Sequence, residues 1–456
     1  MKKGFRSSRL WFWLVSALLV GLMLVTTVDS TEYSQTEFYA TTMARKDSLM
    51  NLLAQHRDGP AGRSKAANQL HSGWGKANIT PDPPVRLTGK NFSPFSQVFD
   101  SIYVRSMLFS DSHHRVVMLN YDLWIIHPHL ANYVRGLIAE EFPSITGVYF
   151  TANHTHTSIG GWASGILGQL VVGGNSQQTL KFIGEQTLKS VSEATQNLSP
   201  VQAGFGAIET EGLVMNRLDT TSTLDTKLRV LMLSDSSGRT ASFSTFSAHS
   251  VYMNKDINTL SADYPGPYLS YLEALPGIDF ASFAPGATGS HTPIGRKPFE
   301  HSKMQGYSKR LADYFETIQS KISMDSTALL RHFEWPVDLR SPHFRITNKL
   351  RFRPWLFHAV MGQYQPRITV LRVGDVVLVG LPVELSGEYY PQFTEICKSR
   401  GLSLMITSFN GWYMGYVNPE KYYYTLRRSE TREMNWFGPQ NGEYFVELVK
   451  HVLEIV

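Results

Sequence analysis

The stretch Gly147-Val-Tyr-Phe-Thr-Ala-Asn-His-Thr-His-Thr-Ser158 decides how this chain is read. Its first half, GVYFTA, is a short apolar run of strand length, and its second half is polar with histidines at i and i+2. In an extended segment, residues two apart point to the same side. His154 and His156 can therefore face one pocket at a strand end, where ligands of α/β sheets bind. A neutral imidazole is a good zinc ligand, and two on one face provide half a site. The competing reading is a pair of ordinary polar loop histidines. Asn153-His-Thr155 also fits an N-glycosylation sequon, as do Asn78-Ile-Thr80 and Asn197-Leu-Ser199.

Similar apolar runs recur at Arg115–Tyr121, Leu228–Leu233, Ala241–Phe246, Arg367–Val373, Val376–Leu381 and Leu404–Phe409. Between them, Pro128–Phe142, Ser176–Gln196, Lys303–Ile322 and Tyr390–Arg400 have helical periodicity. Alternation without a break or a repeat predicts an α/β (α+β) fold. It would be one large domain over residues 73–456, with mixed β-sheet flanked by helices and the active site at strand ends. Three more strand ends carry candidate residues: His249 after Ala241–Phe246, Glu384 after Val376–Leu381, and the tyrosines of Asn410-Gly-Trp-Tyr-Met-Gly-Tyr416 after Leu404–Phe409. Each has a plain alternative: a structural histidine, a helix-start carboxylate, packing aromatics. Four strand ends meeting at one pocket are more informative than any one of them.

Composition narrows the chemistry. The 456 residues are 42% hydrophobic and 18% charged, which excludes collagen, long coiled coil and wholesale disorder. The net charge of +5 is spread over scattered Lys and Arg, so no nucleic-acid partner is expected. Cys397 is the sole cysteine, so a metal must be held by imidazole, carboxylate or phenolate. The sequence contains no nucleophile elbow, no H-E-x-x-H and no phosphate-binding G-x-x-x-x-G-K-[ST].

Residues 1–30 read as a signal anchor or transmembrane helix. Four basic residues precede the uncharged run Leu10–Val28, which is roughly 28 Å long as a helix, and no basic residue follows until Arg45. The expectation is a membrane-anchored, extracytoplasmic body on the periplasmic or extracellular side, secreted if the segment is cleaved as a signal peptide. Residues 31–72 read as a polar stalk or docking helix. Lys349–Pro366 mixes basic and aromatic residues, as a membrane-surface lid would, or is an ordinary core helix behind a turn.

The order of these pieces resembles the catalytic domain of the neutral/alkaline (non-lysosomal) ceramidases, zinc amidases that split the N-acyl bond of ceramide. Gly73-Trp-Gly-Lys-Ala-Asn-Ile-Thr-Pro81 is similar to that family's opening G-x-G-x-A-x-I-T-P, and Asn153–Gly161 to T-H-T-H-S-G-P-G-G. Asn216-Arg217 resembles N-R-S-P, Phe246–Met253 resembles F-A-x-H-P-T-x-M, and Gly380–Glu384 resembles G-V-P-G-E. Asn410–Tyr422 and Trp436–Pro439 complete the collinear series. The resemblance implies Zn²⁺ held by His154, His249, Glu384 and Tyr416, with His156 and Arg217 beside the substrate. It implies hydrolysis of an N-acyl amide in a lipid-like, sphingolipid-type substrate by zinc-bound hydroxide. The chain departs from the pattern at two places. Thr292 stands where the family has a candidate nucleophilic serine, flanked by Ser290 and His291, and Ser429-Glu430 replaces a tyrosine followed by glutamate. Tyr413, Tyr422, Tyr423 and Tyr424 could replace the missing phenol. These departures leave two alternatives, a metal-dependent hydrolase of another acylated substrate (sugar or peptide) and a non-catalytic binding protein.

Overall fold

The computed structural model describes residues 4–30, 33, 69–89, 93–253, 258–326 and 329–456. Most of the expected stalk over 31–72 lies outside the described residues.

A large curled sheet and a smaller four-stranded one face each other. The large sheet contains β2 (His71–Asn78), β4 (Tyr103–Ser110), β5 (Arg115–Tyr121), β6 (Gly147–Ala152), β7 (Ser199–Glu209), β9 (Lys227–Asp235), β10 (Thr240–Phe246) and β12 (Phe280–Pro285). Its spatial order is β12-β10-β9-β7-β2-β4-β5-β6, with β14 (Met324–Asp325) beside β7. The small sheet is β15 (Leu330–Pro336), β17 (Arg367–Val373), β18 (Val376–Leu381) and β20 (Ser403–Ser408), in that order. Both are mixed: β5/β6, β10/β12 and β18/β20 run parallel and the other pairs antiparallel. Two-residue or three-residue strands pair off separately: β1 (Val28–Asp29) with β16 (Arg351–Phe352), β3 (Gln97–Val98) with β11 (Thr259–Leu260), β8 (Val214–Asn216) with β13 (His291–Pro293), and β19 (Glu384–Leu385) with β21 (Tyr416–Val417).

Period-two alternation builds the layers. Val116 and Met118 of β5, Leu231 and Leu233 of β9, and Phe243 of β10 point inward to meet Leu371, Leu378 and Met405 of the small sheet. Val117, Leu119 and Tyr121 point the other way, onto α2 (Pro128–Glu141) and α4 (Gln177–Gln196). Elsewhere on that outer face, Val230 and Phe283 pack on α5 (Pro265–Glu273) and α6 (His301–Gln319). The outer face of the small sheet (Val377, Val379, Ile406) is covered by α10 (Asn441–Ile455), with α8 (Thr394–Arg400) alongside. The result is four layers, helix–sheet–sheet–helix. The Gly73-Trp-Gly75 start belongs to one close approach: a Cβ at Gly73 would lie 2.1 Å from Ala194 O, and one at Gly75 2.2 Å from Ser190 O, so only glycine lets α4 rest on β2.

The large sheet curls until the two ends of its strand order approach each other. Asn120 on β5 donates from Nδ2 to Thr151 Oγ1 of β6 and to Phe283 O of β12, both at 2.8 Å. Tyr149 OH of β6 meets Thr407 Oγ1 of β20 at 2.7 Å, fastening the small sheet over the junction. The C-terminal ends of β6, β10, β18 and β20 thereby come to one place.

The strands at 115–121, 147–152, 367–373 and 376–381 have the limits their apolar runs predict, and 147–152 and 376–381 are buried throughout. Tyr390–Arg400 is not one helix: a 3-10 turn, Gly387–Phe393, precedes α8 because Pro391 interrupts regular hydrogen bonding. Lys349–Pro366 forms β16 followed by α7 (Pro354–Met361), whose Phe357 is buried while Trp355 is exposed. The remaining helices are α1 (Gly4–Thr27), α3 (Gly165–Val171) and α9 (Glu420–Thr425). Among the described residues no helix is long and apolar enough to cross a membrane. The side chains of α1 are described only from Trp11 to Thr27, about 25 Å of helix.

Candidate metal centre

His154 follows β6 and takes a left-handed backbone conformation (φ 66°), which few non-glycine residues adopt. The Asn-His-Thr-His segment is therefore not the extended run expected from its spacing. A tight turn brings the two rings together instead, with centroids 4.8 Å apart. Asn153 anchors the turn, with Nδ2 donating to Asp122 Oδ1 (2.8 Å) and Ala262 O (3.1 Å), and its full burial removes it as a glycosylation site. Asp122 is fixed in turn by Arg105, 2.9 Å away.

The histidines converge through their Nε2 atoms. His154 Nε2 lies 2.9 Å from His249 Nε2, and His156 Nε2 lies 3.3 Å from each of them. His154 Nδ1 is 2.6 Å from Trp124 O, so Nδ1 carries the proton and Nε2 presents a bare lone pair. Burial pushes the His154 imidazole well below its ordinary pKa, with His249 and His156 adding to the effect and Glu384 opposing it. Burial, then Arg217 and Arg296, does the same to His249.

Glu384 and Tyr416 reach the cluster from the small sheet's side. They are direct partners in the parallel β19/β21 pair, so their side chains leave the same face. Glu384 Oε1 is 3.8 Å from His154 Nε2 and accepts from Tyr413 OH at 2.7 Å. Its Oε2 is 3.2 Å from His249 Nδ1 but off the hydrogen-bond axis, leaving a buried carboxylate oxygen without a hydrogen bond. The Tyr416 ring stacks on His249 at 6.2 Å, and burial, followed by the Glu384 charge, raises its phenol pKa well above the usual value.

Arg217 closes the other side. Its NH2 is 3.5 Å from His249 Nδ1 and donates to Gly289 O at 3.3 Å, its NH1 pairs with Glu430 Oε1 at 3.1 Å, and its guanidinium lies over the Tyr416 ring. Burial alone would lower its pKa, but Tyr416, Glu430 and Glu384 outweigh burial and raise it. Thr292 lies on β13 opposite Met215, with a buried hydroxyl that has no hydrogen-bond partner. Beside it, Ser290 Oγ meets His291 Nδ1 at 2.8 Å and Ser386 Oγ at 2.7 Å.

The donor set fits a metal cation. Three imidazole Nε2 atoms within 3.3 Å of one another, beside an orphaned carboxylate oxygen, form a compact nitrogen–oxygen donor set of the kind that binds a cation. His154, His156 and His249 can hold a metal ion. Glu384 and Tyr416 also come to the cluster. His156, expected beside the substrate, approaches the other imidazoles as closely as a ligand does. Two contributors escape sequence reasoning. Trp124 acts through its backbone carbonyl, which leaves no side-chain signature, and Glu430 is visible only as a departure from the expected Tyr-Glu pair.

An apolar cleft of about 1090 Å³, including its mouth, adjoins the cluster. Phe344, Phe357, Met361 and Trp436 line it, and Trp124 and Tyr413 form the wall it shares with the metal centre.

Fold and site together define an α/β protein with a buried imidazole–carboxylate–phenol cluster suited to a metal ion. The description "Neutral/alkaline non-lysosomal ceramidase, N-terminal" matches residues 73–274, which contain His154, His156, Arg217 and His249. A neutral ceramidase of Pseudomonas aeruginosa is 26% identical over 221 residues, covering 44% of this chain and 32% of that protein. The crystal structure of neutral ceramidase from Pseudomonas aeruginosa superposes with a TM-score of 0.70 at 19% identity, over 85% of this chain and 75% of that one. A ceramidase complexed with C2 does so equally well, with a TM-score of 0.70 at 18% identity. Residues 73–274 thus match the N-terminal part of the neutral/alkaline ceramidases, and the chain shares the fold of the solved ceramidases at low sequence identity.

Proposed function

We propose that the chain is a zinc-dependent amidohydrolase that cleaves the N-acyl bond of a sphingolipid-like amide. The observation that carries this reading is the approach of His154 and His249, whose Nε2 atoms lie 2.9 Å apart beside the orphaned Glu384 oxygen, with His156 at 3.3 Å from both. His154, His249, Glu384 and Tyr416 would hold the ion. Zinc, when bound, supplies Lewis acidity and lowers the pKa of a water from 15.7 toward about 7. His156, at the edge of the cluster, takes a proton from the attacking water and returns it to the leaving amine. Arg217, permanently charged, steadies the carbonyl oxygen as negative charge develops on it. Thr292 contributes a hydroxyl that has no other partner. The apolar cleft supports a hydrocarbon acyl group over a sugar or peptide, because its lining offers a hydrophilic chain few partners. Hydrolysis of another acylated substrate on the same scaffold is the second reading, favoured by Glu430 occupying Arg217.

We also propose that α1 anchors the body on the extracytoplasmic side of a membrane. Purified full-length chain should carry about one zinc, and His249→Ala should lose it. Stoichiometric zinc in that variant would show the ligand set to be wrong. Turnover assays on ceramides, N-acyl amines and acylated sugars separate the two substrate readings.

A further inference from the structure

Both helices that wall the apolar cleft have a second, outward apolar side. α3 gives Gly168 and Val171 to the cleft, yet its Ile166 and Leu170, one turn apart on the same face, are 52% and 60% exposed. α7 gives Phe357 and Met361, yet Trp355 is 53% exposed. The two helices are joined near their ends, where Ser164 Oγ meets Tyr364 OH at 3.2 Å.

The start of α7 is also the fastening point of α1. A helix ends with backbone carbonyls that lack intrahelical partners, and here the α7 segment supplies those partners. Trp355 Nε1 donates to Thr26 O (2.9 Å), Arg353 N to Thr27 O (2.8 Å) and Arg353 Nε to Val28 O (3.3 Å). The β1/β16 pair and the Arg351–Asp29 ion pair at 3.3 Å complete the clamp. From Trp11 to Val25, α1 exposes large apolar side chains, including Trp11, Trp13, Leu18 and Val25. A helix apolar on every side requires apolar surroundings. Whatever apolar layer holds α1 is therefore brought next to Trp355 and the α3 face.

We propose that the outer face formed by Ile166, Leu170 and Trp355 docks on a phospholipid bilayer, so that the cleft takes its acyl chain directly from the lipid layer. This deepens the lipid-amide reading and rests on it. The clamp fixes the end of α1 to the helix that lines the cleft, and α3 completes both the cleft wall and the docking face. A substrate chain need not cross water between bilayer and metal centre. On the same segment, Arg353 is exposed next to Trp355 and suits the phosphate level of such a surface.

The test uses full-length chain reconstituted in phosphatidylcholine vesicles. Leu170→Cys in a Cys397→Ser background carries a nitroxide, whose relaxation is read with oxygen and with a water-soluble paramagnetic complex. The label should be open to oxygen and shielded from the aqueous reagent. Water-like accessibility would overturn the proposal, as would equal shielding without vesicles accompanied by spin–spin broadening, which indicates contact between copies. In parallel, Ile166→Asp/Leu170→Asp should lower turnover of a vesicle-borne N-acyl lipid at least about tenfold, with a soluble short-chain analogue changed less than about twofold. Equal loss on both substrates, or loss on neither, refutes docking. If neither substrate is cleaved by the parent chain, the functional reading fails and the label result alone decides the docking surface.

Discussion

Replacing Tyr413 by phenylalanine removes one oxygen and leaves the aromatic wall of the cleft in place. That oxygen donates to Glu384 Oε1 at 2.7 Å, and the other Glu384 oxygen has no hydrogen bond. Glu384 is fully buried, so water cannot replace the lost donor. A hydrogen bond to an ionised group in such a place contributes about 1.5–3 kcal/mol. At about 1.4 kcal/mol per factor of ten, Tyr413→Phe should weaken metal binding roughly 10- to 100-fold, as expected when a partner that orients a ligand is lost. Chelator competition at pH 7 on the apo chain measures this directly, without any substrate. If affinity stays within about twofold of the parent value, Tyr413 does not orient Glu384 for the metal. Unchanged affinity with reduced kcat would place the phenol in proton transfer instead, and unchanged values of both would make it a cleft wall only.

Three further outcomes follow from the geometry. Gly415→Ala places a Cβ 2.2 Å from Met434 O at φ +79°, so it should cost more than about 2 kcal/mol in urea unfolding and disturb Tyr416 beside it; a loss below about 0.5 kcal/mol would contradict the close approach. Glu430→Gln leaves Arg217 with a neutral partner in a largely buried site and should lower stability by about 1–2 kcal/mol, after allowing for partial exposure, with zinc stoichiometry unchanged. His291 accepts from Asp225 N at Nε2 (3.0 Å), and burial lowers its pKa from 6.5 to about 4. The unfolded chain binds the proton first, so stability from neutral His291 is complete above about pH 6.5 and is lost as pH falls toward 4, by up to about 3 kcal/mol. The stability gap between the parent and His291→Asn, measured on metal-free chain, should therefore narrow from pH 7 to pH 4; a constant gap would refute the assignment.

Much of the site could be read from the residues because its donors follow strands that are buried on both faces. Such strands are continuous apolar runs, so GVYFTA and VVLVGL mark their own limits and point to the residues just beyond. What could not be read was how those ends meet. β6 and β10 lie toward opposite ends of the strand order, and His154 touches His249 only because the sheet curls. Curl arises from twist summed over many strands and has no local sequence signal. The turn at His154 was also hidden, since a positive φ at a histidine is imposed by its surroundings, here Asn153 on Asp122 and Ala262. The Lys349–Pro366 segment was ambiguous for the opposite reason, because it serves both the core and the surface.

The two-sheet origin of the metal centre has a consequence for biosynthesis. His154, His156 and His249 belong to segments made early, whereas Glu384 and Tyr416 arrive with β19 and β21 near the end of the chain. A nascent polypeptide that has emerged only through β12 offers imidazoles without the acidic oxygen or the phenol. If Glu384 and Tyr416 are ligands as proposed, any cation captured then would be held loosely, and tight metal loading would mark a finished translation product.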